Sequence, residues 1–158
     1  MKSLYIKQQL FSLGEKFTVI DESQQDIYFV EGGFLQIPKQ FTIYDRKRTE
    51  VATITKKVFS LLPKFFVEME GREIATISKE LSFLKPRFSI DSEDIVIDGN
   101  WWEMNFQIYK SGQRIGSVSK QWFTFGDAYN VQIEVEHYEA LIISIVVAID
   151  CVKSDKNS

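Results

Sequence analysis

Cysteine is almost absent from this chain. Cys151 stands alone in 158 residues, which excludes an internal disulfide and any cysteine-rich metal site. It follows an apolar run and reads as a small buried hydrophobe rather than a reactive thiol. Histidine is as scarce: His137 cannot build a histidine metal site by itself, and no Ser or Cys nucleophile sits in a recognisable elbow. There is no glycine-rich phosphate loop, since Glu31-Gly-Gly-Phe34 reads as a turn. A basic excess is also missing. Nineteen Lys and Arg against 22 Asp and Glu leave a net charge of −3, which argues against nucleic acid as the partner but permits a local basic patch.

Long apolar runs are lacking too. The N-terminal eleven residues alternate apolar side chains with Lys and Gln and contain no continuous hydrophobic core, so no signal peptide is expected there. The expected location is the cytoplasm, free or peripheral to a membrane. The most apolar stretch, residues 140–149, is ten residues long with Ser144 its only polar member. A membrane-spanning helix needs about 20. Yet a segment apolar on every side cannot lie on a sheet surface with one face in water; it must be enclosed. No linker or low-complexity segment divides the chain, which predicts one domain over residues 1–152 and a frayed polar tail over 153–158.

What is present is alternation. Aromatic residues make up 14% of the chain, with 13 Phe, and suit pleated surfaces. Period-2 patterns predict strands at residues 4–8, 16–21, 26–30, 34–37, 41–44, 50–56, 64–70, 73–79, 87–91, 95–98, 104–109, 114–120 and 129–136. Turn signals separate them at residues 21–25, 31–33, 70–72, 98–100 and 110–113. Pro38, Pro63 and Pro86 fall near strand ends, where a missing N–H donor is tolerated. About a dozen short strands joined by short turns form an antiparallel meander, and closing it removes its edges. The fold class that follows is mainly β: a closed antiparallel barrel of about twelve strands around a central hydrophobic C-terminal α-helix.

An internal echo orients the strands. Val51-Ala-Thr-Ile-Thr-Lys56, Ile74-Ala-Thr-Ile-Ser-Lys79 and Ile115-Gly-Ser-Val-Ser-Lys120 share one pattern. Alternation places Ala52, Ile54 and Lys56 on one face, with Ala75, Ile77, Lys79 and Gly116, Val118, Lys120 equivalent to them. Small residues are needed where a helix approaches the wall, so this face is assigned inward. Each lysine then falls at the rim, its stem packed and its ammonium in water. One strand intervenes between Lys56 and Lys79, which sends both to the same end; the strand count leaves the end taken by Lys120 open.

Other candidate chemistry is sparse. Asp91, Glu93, Asp94 and Asp98 lack the spacing of a calcium loop and read as solvated turns. Glu68, Glu70 and Glu73 flank a turn and look like outward residues of a barrel rather than an acid–base pair. His137 stands between Glu136 and Glu139 at a helix start. Trp101, Trp102, Trp122, Phe123 and Phe125 read as packing at a barrel end, with an exposed aromatic platform as the alternative. Arg46, Lys47 and Arg48 form a basic turn which, with Lys56 and Lys57, is the densest positive segment.

Four segments together resemble the LURP-one-related proteins: Lys64-Phe-Phe-Val-Glu-Met-Glu-Gly-Arg-Glu-Ile-Ala-Thr-Ile-Ser-Lys79, Ile97-Asp-Gly-Asn-Trp101, Ile115-Gly-Ser-Val-Ser-Lys-Gln-Trp-Phe123 and Leu141-Ile-Ile-Ser-Ile-Val-Val-Ala-Ile-Asp150. The fold of that family is similar to the C-terminal domain of tubby and to phospholipid scramblases. The resemblance implies a twelve-stranded barrel around a central helix. Tubby-type domains bind phosphoinositides through basic residues, so it also implies an anionic lipid headgroup or another small anion as partner. The short final helix and missing cysteines do not fit a scramblase. A non-catalytic binding module is therefore expected, with no cofactor and no metal. Its candidate anion-binding residues are Arg46, Lys47, Arg48, Lys56, Lys57, Lys79 and Lys120. A regulatory scaffold with a protein partner and no lipid binding is the alternative.

Overall fold

The alternating segments pair as one twelve-stranded antiparallel sheet in a computed structural model that describes residues 1–7, 16–33, 37–84, 87–123 and 126–155. In chain order the strands are β1 (Lys2–Lys7), β2 (Lys16–Asp21), β3 (Asp26–Gly33), β4 (Gln40–Tyr44), β5 (Glu50–Lys56), β6 (Lys64–Met69), β7 (Arg72–Glu80), β8 (Arg87–Asp91), β9 (Ile95–Asn100), β10 (Asn105–Lys110), β11 (Gln113–Phe123) and β12 (Gly126–Ile133). Strands β1 to β8 and β9 to β12 form two meanders. The ladder from Lys2↔Ile133 to Lys7↔Ala128 joins β1 to β12 and wraps them into a cylinder.

Two strands and the closure of the cylinder differ most from the sequence pattern. Of the strand predicted at residues 34–37, positions 34–36 lie outside the described residues, and Ile37 sits in a bend before a cis bond to Pro38. The last strand starts earlier and stops at Ile133, because the next two amides, of Glu134 and Val135, both bond to Ile115 O instead of extending the ladder. The cylinder is also not fully closed. Among the described residues no ladder joins β8 to β9, which end the sheet order. Side chains fill that seam: the Phe88 ring stacks at 6.1 Å on Trp101 and at 6.2 Å on Trp102. Trp101 and Trp102 therefore do not diverge as an extended pair would, since both lie in the β9–β10 turn.

After a short 3-10 turn, Glu136–Tyr138, the helix α1 (Glu139–Ser154) runs inside the cylinder and packs chiefly on β5, β6 and β7. Residues 141–152 are all buried. Ser144 does not break this enclosure, because its hydroxyl donates to Ala140 O one turn back at 2.7 Å. Past Val152, where the sequence suggested a frayed tail, Lys153 and Ser154 are helical and Asp155 is buried; residues 156–158 lie outside the described residues.

The inward assignment of the echo holds. Ala52, Ile54, Ala75, Ile77 and Val118 are each 2% exposed or less. At Gly116 the wall leaves no room for a side chain: a Cβ there would lie 2.8 Å from Gln132 O on the neighbouring strand and 3.0 Å from Ile142 Cδ1 on α1. Backbone, not a flexible side-chain tip, would have to move. Gly116→Ala is thus expected to destabilise the fold by about 2 kcal/mol and lower Tm by about 6 °C. A thermal melt identical to that of the parent chain would contradict the close approach.

Antiparallel pairing throughout makes every odd-numbered strand run one way. The barrel therefore has two distinct ends. At one end α1 begins, and the links at 22–25, 45–49, 70–71, 92–94 and 111–112 are short and polar. At the other end α1 stops, and the link at 57–63 and the described part of the next, 81–84, are rich in apolar residues.

Candidate functional site

The end where α1 terminates collects lysines. Strands β5, β7 and β11 are all odd-numbered, so Lys56, Lys79 and Lys120 all reach this rim. That settles the position of Lys120. Lys39, leading into β4, and Lys153, in the last turn of α1, join them. Part of this charge answers the helix itself, whose last carbonyls carry the negative end of its dipole. Asp155, just past α1, adds a full negative charge. Lys39 Nζ lies 2.7 Å from its Oδ1 and Lys56 Nζ 2.6 Å from its Oδ2. The Asp155 side chain is fully buried and both lysines are 13% exposed. Burial alone would push this carboxyl up, but hydrogen bonds and charge from Lys39 and Lys56 outweigh burial and hold it below the ordinary carboxylate value. Lys39 and Lys56 thus pin the end of α1 to the start of β4 and the end of β5.

Lys153 is placed differently. Its Nζ stands 5.3 Å from the Trp102 ring and 6.0 Å from that of Tyr129. Burial lowers its pKa, the positive charge of Lys120 adds to that lowering, and Asp150 opposes both.

An open groove of about 670 Å³ runs from this rim down the outer wall of β5–β7. Lys56, Lys57 and Lys64 line it, together with Val58, Phe59, Phe66 and Glu73. The backbone bond from Lys57 N to Lys64 O, 2.8 Å, holds the two ends of the 57–63 link together, so their side chains rise from adjacent points. Lys57 Nζ lies 5.5 Å from the Phe66 ring centroid and 3.5 Å from Glu73. A hydrogen bond from the Thr76 hydroxyl, 2.6 Å, lowers the Glu73 carboxyl first, and Lys57 lowers it further. Both members of the Lys57–Glu73 pair stay largely in water, where such pairs contribute only about 0–1 kcal/mol. An incoming anion competes with that contact at little cost. Lys64 makes no ion pair among the described residues.

The basic turn lies elsewhere. Arg46, Lys47 and Arg48 follow β4, at the end where α1 begins. Asp45 Oδ1 builds that turn by accepting the amides of Lys47 and Thr49. Arg48 pairs with Glu31 at 3.1 Å and covers the Phe29 ring at 4.0 Å. The densest positive segment of the sequence is therefore split by the length of β5, about 20 Å, and its parts cannot grip one small anion.

The same end holds a cleft of about 350 Å³ that gathers Glu70, Glu73, Glu93, Asp94 and His137, which alternation alone left apart. Asp94 is already engaged. Lys110 Nζ donates to it at 2.6 Å and Ser111 Oγ at 2.7 Å, and these bonds keep its carboxyl low. His137 packs edge-on to Tyr138 with centroids 5.0 Å apart. Among the described residues no three of His, Cys, Asp or Glu are placed to hold a metal. The side chains of Trp122 and Phe123, and Phe125 entirely, lie outside the described residues.

Sequence reasoning missed Lys39, Lys64 and Asp155. Lys64 carried one signal: it follows Pro63 and opens a strand directly opposite Lys57 across a link. Asp155 carried none, since in sequence it belongs to a polar tail.

A model of the LURP-one-related family matches residues 2–150. An uncharacterised protein, YxjI, from Bacillus subtilis (strain 168) is 31% identical over 152 residues, spanning 96% of this chain and 94% of its own. A solved structure of a protein from Arabidopsis thaliana covers 96% of this chain and 90% of its own with a TM-score of 0.61 at 17% identity. At that identity the likeness concerns the fold alone.

Proposed function

The chain belongs to the LURP-one-related family, and from that premise we propose that it is a non-catalytic module that binds an anionic headgroup, of a phospholipid or a free small anion. Lys57 and Lys64 hold the ligand in the outer groove, and Lys79 and Lys120 extend the positive field around the rim. One observation carries this reading: three lysines, against the single acid Glu73, line one open groove on a chain whose net charge is negative. Lys56 takes a supporting part, because Asp155 already engages it. Such a module works in the cytoplasm, meets a membrane only peripherally, and carries no cofactor. No described helix is long and apolar enough to cross a membrane.

Each basic side chain near an anionic bilayer contributes about 1 kcal/mol, attenuated within a Debye length. Binding is therefore weak singly, cumulative and salt-sensitive. The protein should co-sediment with phosphatidylserine vesicles, less so as salt rises, and not with phosphatidylcholine alone. Lys57→Glu with Lys64→Glu turns two attractions into repulsions and should weaken association about 30-fold or more. Competition by inorganic phosphate would separate a small-anion site from a lipid one. Equal retention on neutral and anionic vesicles would remove the reading. A stable protein partner without vesicle binding would replace it with the scaffold role.

A further inference from the structure

The two ends of the barrel differ in more than charge. Where α1 begins, the links at 22–25, 45–49, 70–71, 92–94 and 111–112 carry no large apolar side chain at all. Where α1 ends, Phe59 and Leu61 are 102% and 93% exposed, Phe83 and Leu84 are 107% and 95%, and Ile37 is 94%. Soluble domains rarely display so many large side chains on one face without a use for them. These residues stand on three neighbouring links that backbone hydrogen bonds tie together: Lys56 N to Lys39 O at 2.8 Å, and Lys79 N to Pro63 O at 2.9 Å. Their tips are thus presented as a set. The lysines of the rim lie immediately beneath them.

We propose that this end is a bilayer-docking face, with the tips of the 57–63 and 81–84 links inserted below the headgroups of an anionic membrane and the lysine rim at headgroup level. The proposal rests on the anionic-headgroup reading above and adds to it an orientation, an insertion depth and a set of residues. Apolar groups set beside lysines are the composition that interfacial anchors use, since each residue type meets its own layer of the membrane. Charge favours a bilayer over a second copy of this chain. Two such ends meeting face to face would oppose one lysine rim to another, like charge on like. The links of the opposite end hold Glu22, Asp45, Glu70, Glu93 and Asp94 against Arg46, Lys47 and Arg48, five acids to three bases, so an anionic surface favours the lysine end.

The test uses the full chain and the burial of its one cysteine, Cys151. A thiol-reactive, environment-sensitive fluorophore is attached to Phe59→Cys, Phe83→Cys and, at the opposite end, Lys47→Cys. With phosphatidylserine-containing vesicles the labels at 59 and 83 should shift to shorter wavelength and be quenched by acyl-chain-brominated lipid, while the label at 47 should not respond. Phe59→Ser with Phe83→Ser should melt as the parent does and lose vesicle affinity at least about tenfold, as expected for two large side chains no longer withdrawn from water. Vesicle binding with unchanged labels at 59 and 83 would overturn insertion and leave the headgroup reading standing. Response of the label at 47 alone would reverse the orientation and overturn the proposal. No binding to any vesicle would overturn the docking face and the phospholipid form of the headgroup reading, and binding of inorganic phosphate alone would then assign the groove to a free small anion. A concentration-dependent dimer abolished by the double serine variant would assign the face to a second copy.

Discussion

Ile145→Asp is expected to leave no cooperatively folded protein. Ile145 lies within the buried run of α1 and is fully enclosed, with Ser144 and Val146 also at 0% exposure. A carboxylate there enters the buried hydrophobic cluster of the barrel. It would have to ionise unpaired in the barrel interior or hold a proton with no partner for it, at a cost of several kcal/mol. The lost packing of the Ile side chain adds about 2–4 kcal/mol. Together these approach or exceed the whole stability of a typical domain, about 5–15 kcal/mol. Ile145→Val provides the control: it removes one methylene and should cost about 1 kcal/mol, leaving a sharp melt. Soluble Ile145→Asp protein with a cooperative transition by circular dichroism would show that α1 is not sealed inside the cylinder.

Asp150→Asn is expected to stabilise the protein, and to do so only when the pH is high enough. Asp150 is 2% exposed near the end of α1. Tyr129 donates to its Oδ1 at 3.0 Å, and its Oδ2 has no hydrogen-bond partner among the described residues. Burial raises its pKa from 3.8 to about 7, although the Tyr129 hydrogen bond and the Lys153 charge pull the other way. The unfolded chain releases this proton near 3.8, whereas the folded chain keeps it until about 7. Between those values the folded state holds more protons, so this group's contribution to stability falls as pH rises. About three pH units at 1.36 kcal/mol each sum to about 4 kcal/mol at most. Asn resembles the neutral acid and avoids that loss. The stability difference between variant and parent should be near zero at pH 4, grow through neutrality and level off above pH 7. Denaturant titrations at several pH values measure it. Asp155, Asp94 and Glu73 have lowered values and act in the opposite sense, losing stabilisation as pH falls. The comparison of the two chains cancels their effect. Parallel curves for variant and parent would mean that Asp150 is ionised in the folded protein.

The fold was legible because its strongest signals are local and redundant. Alternation on a strand has a fixed period, so Ala52, Ile54, Ala75, Ile77 and Val118 declared their inward face without any knowledge of pairing partners. The site was only half legible. Lys56, Lys57, Lys79 and Lys120 do lie at one end, and strand direction explains why. Arg46, Lys47 and Arg48, close neighbours of Lys56 in the chain, sit a full strand away, because sequence distance along an extended segment becomes the length of the barrel.

From the amino-acid order alone came a β cylinder plugged by its own C-terminal segment, since an apolar run of ten residues flanked by alternating strands has nowhere else to avoid water. Pairing order and register decided the rest: an unladdered seam stacked with Phe88, Trp101 and Trp102, the burial of Asp155 between Lys39 and Lys56, the meeting of Lys57 with Lys64, and the exposure of Phe59 and Phe83 on one end. These depend on which strand ends come together in space. That is a property of long-range hydrogen bonding around the cylinder, and no local window of residues contains it.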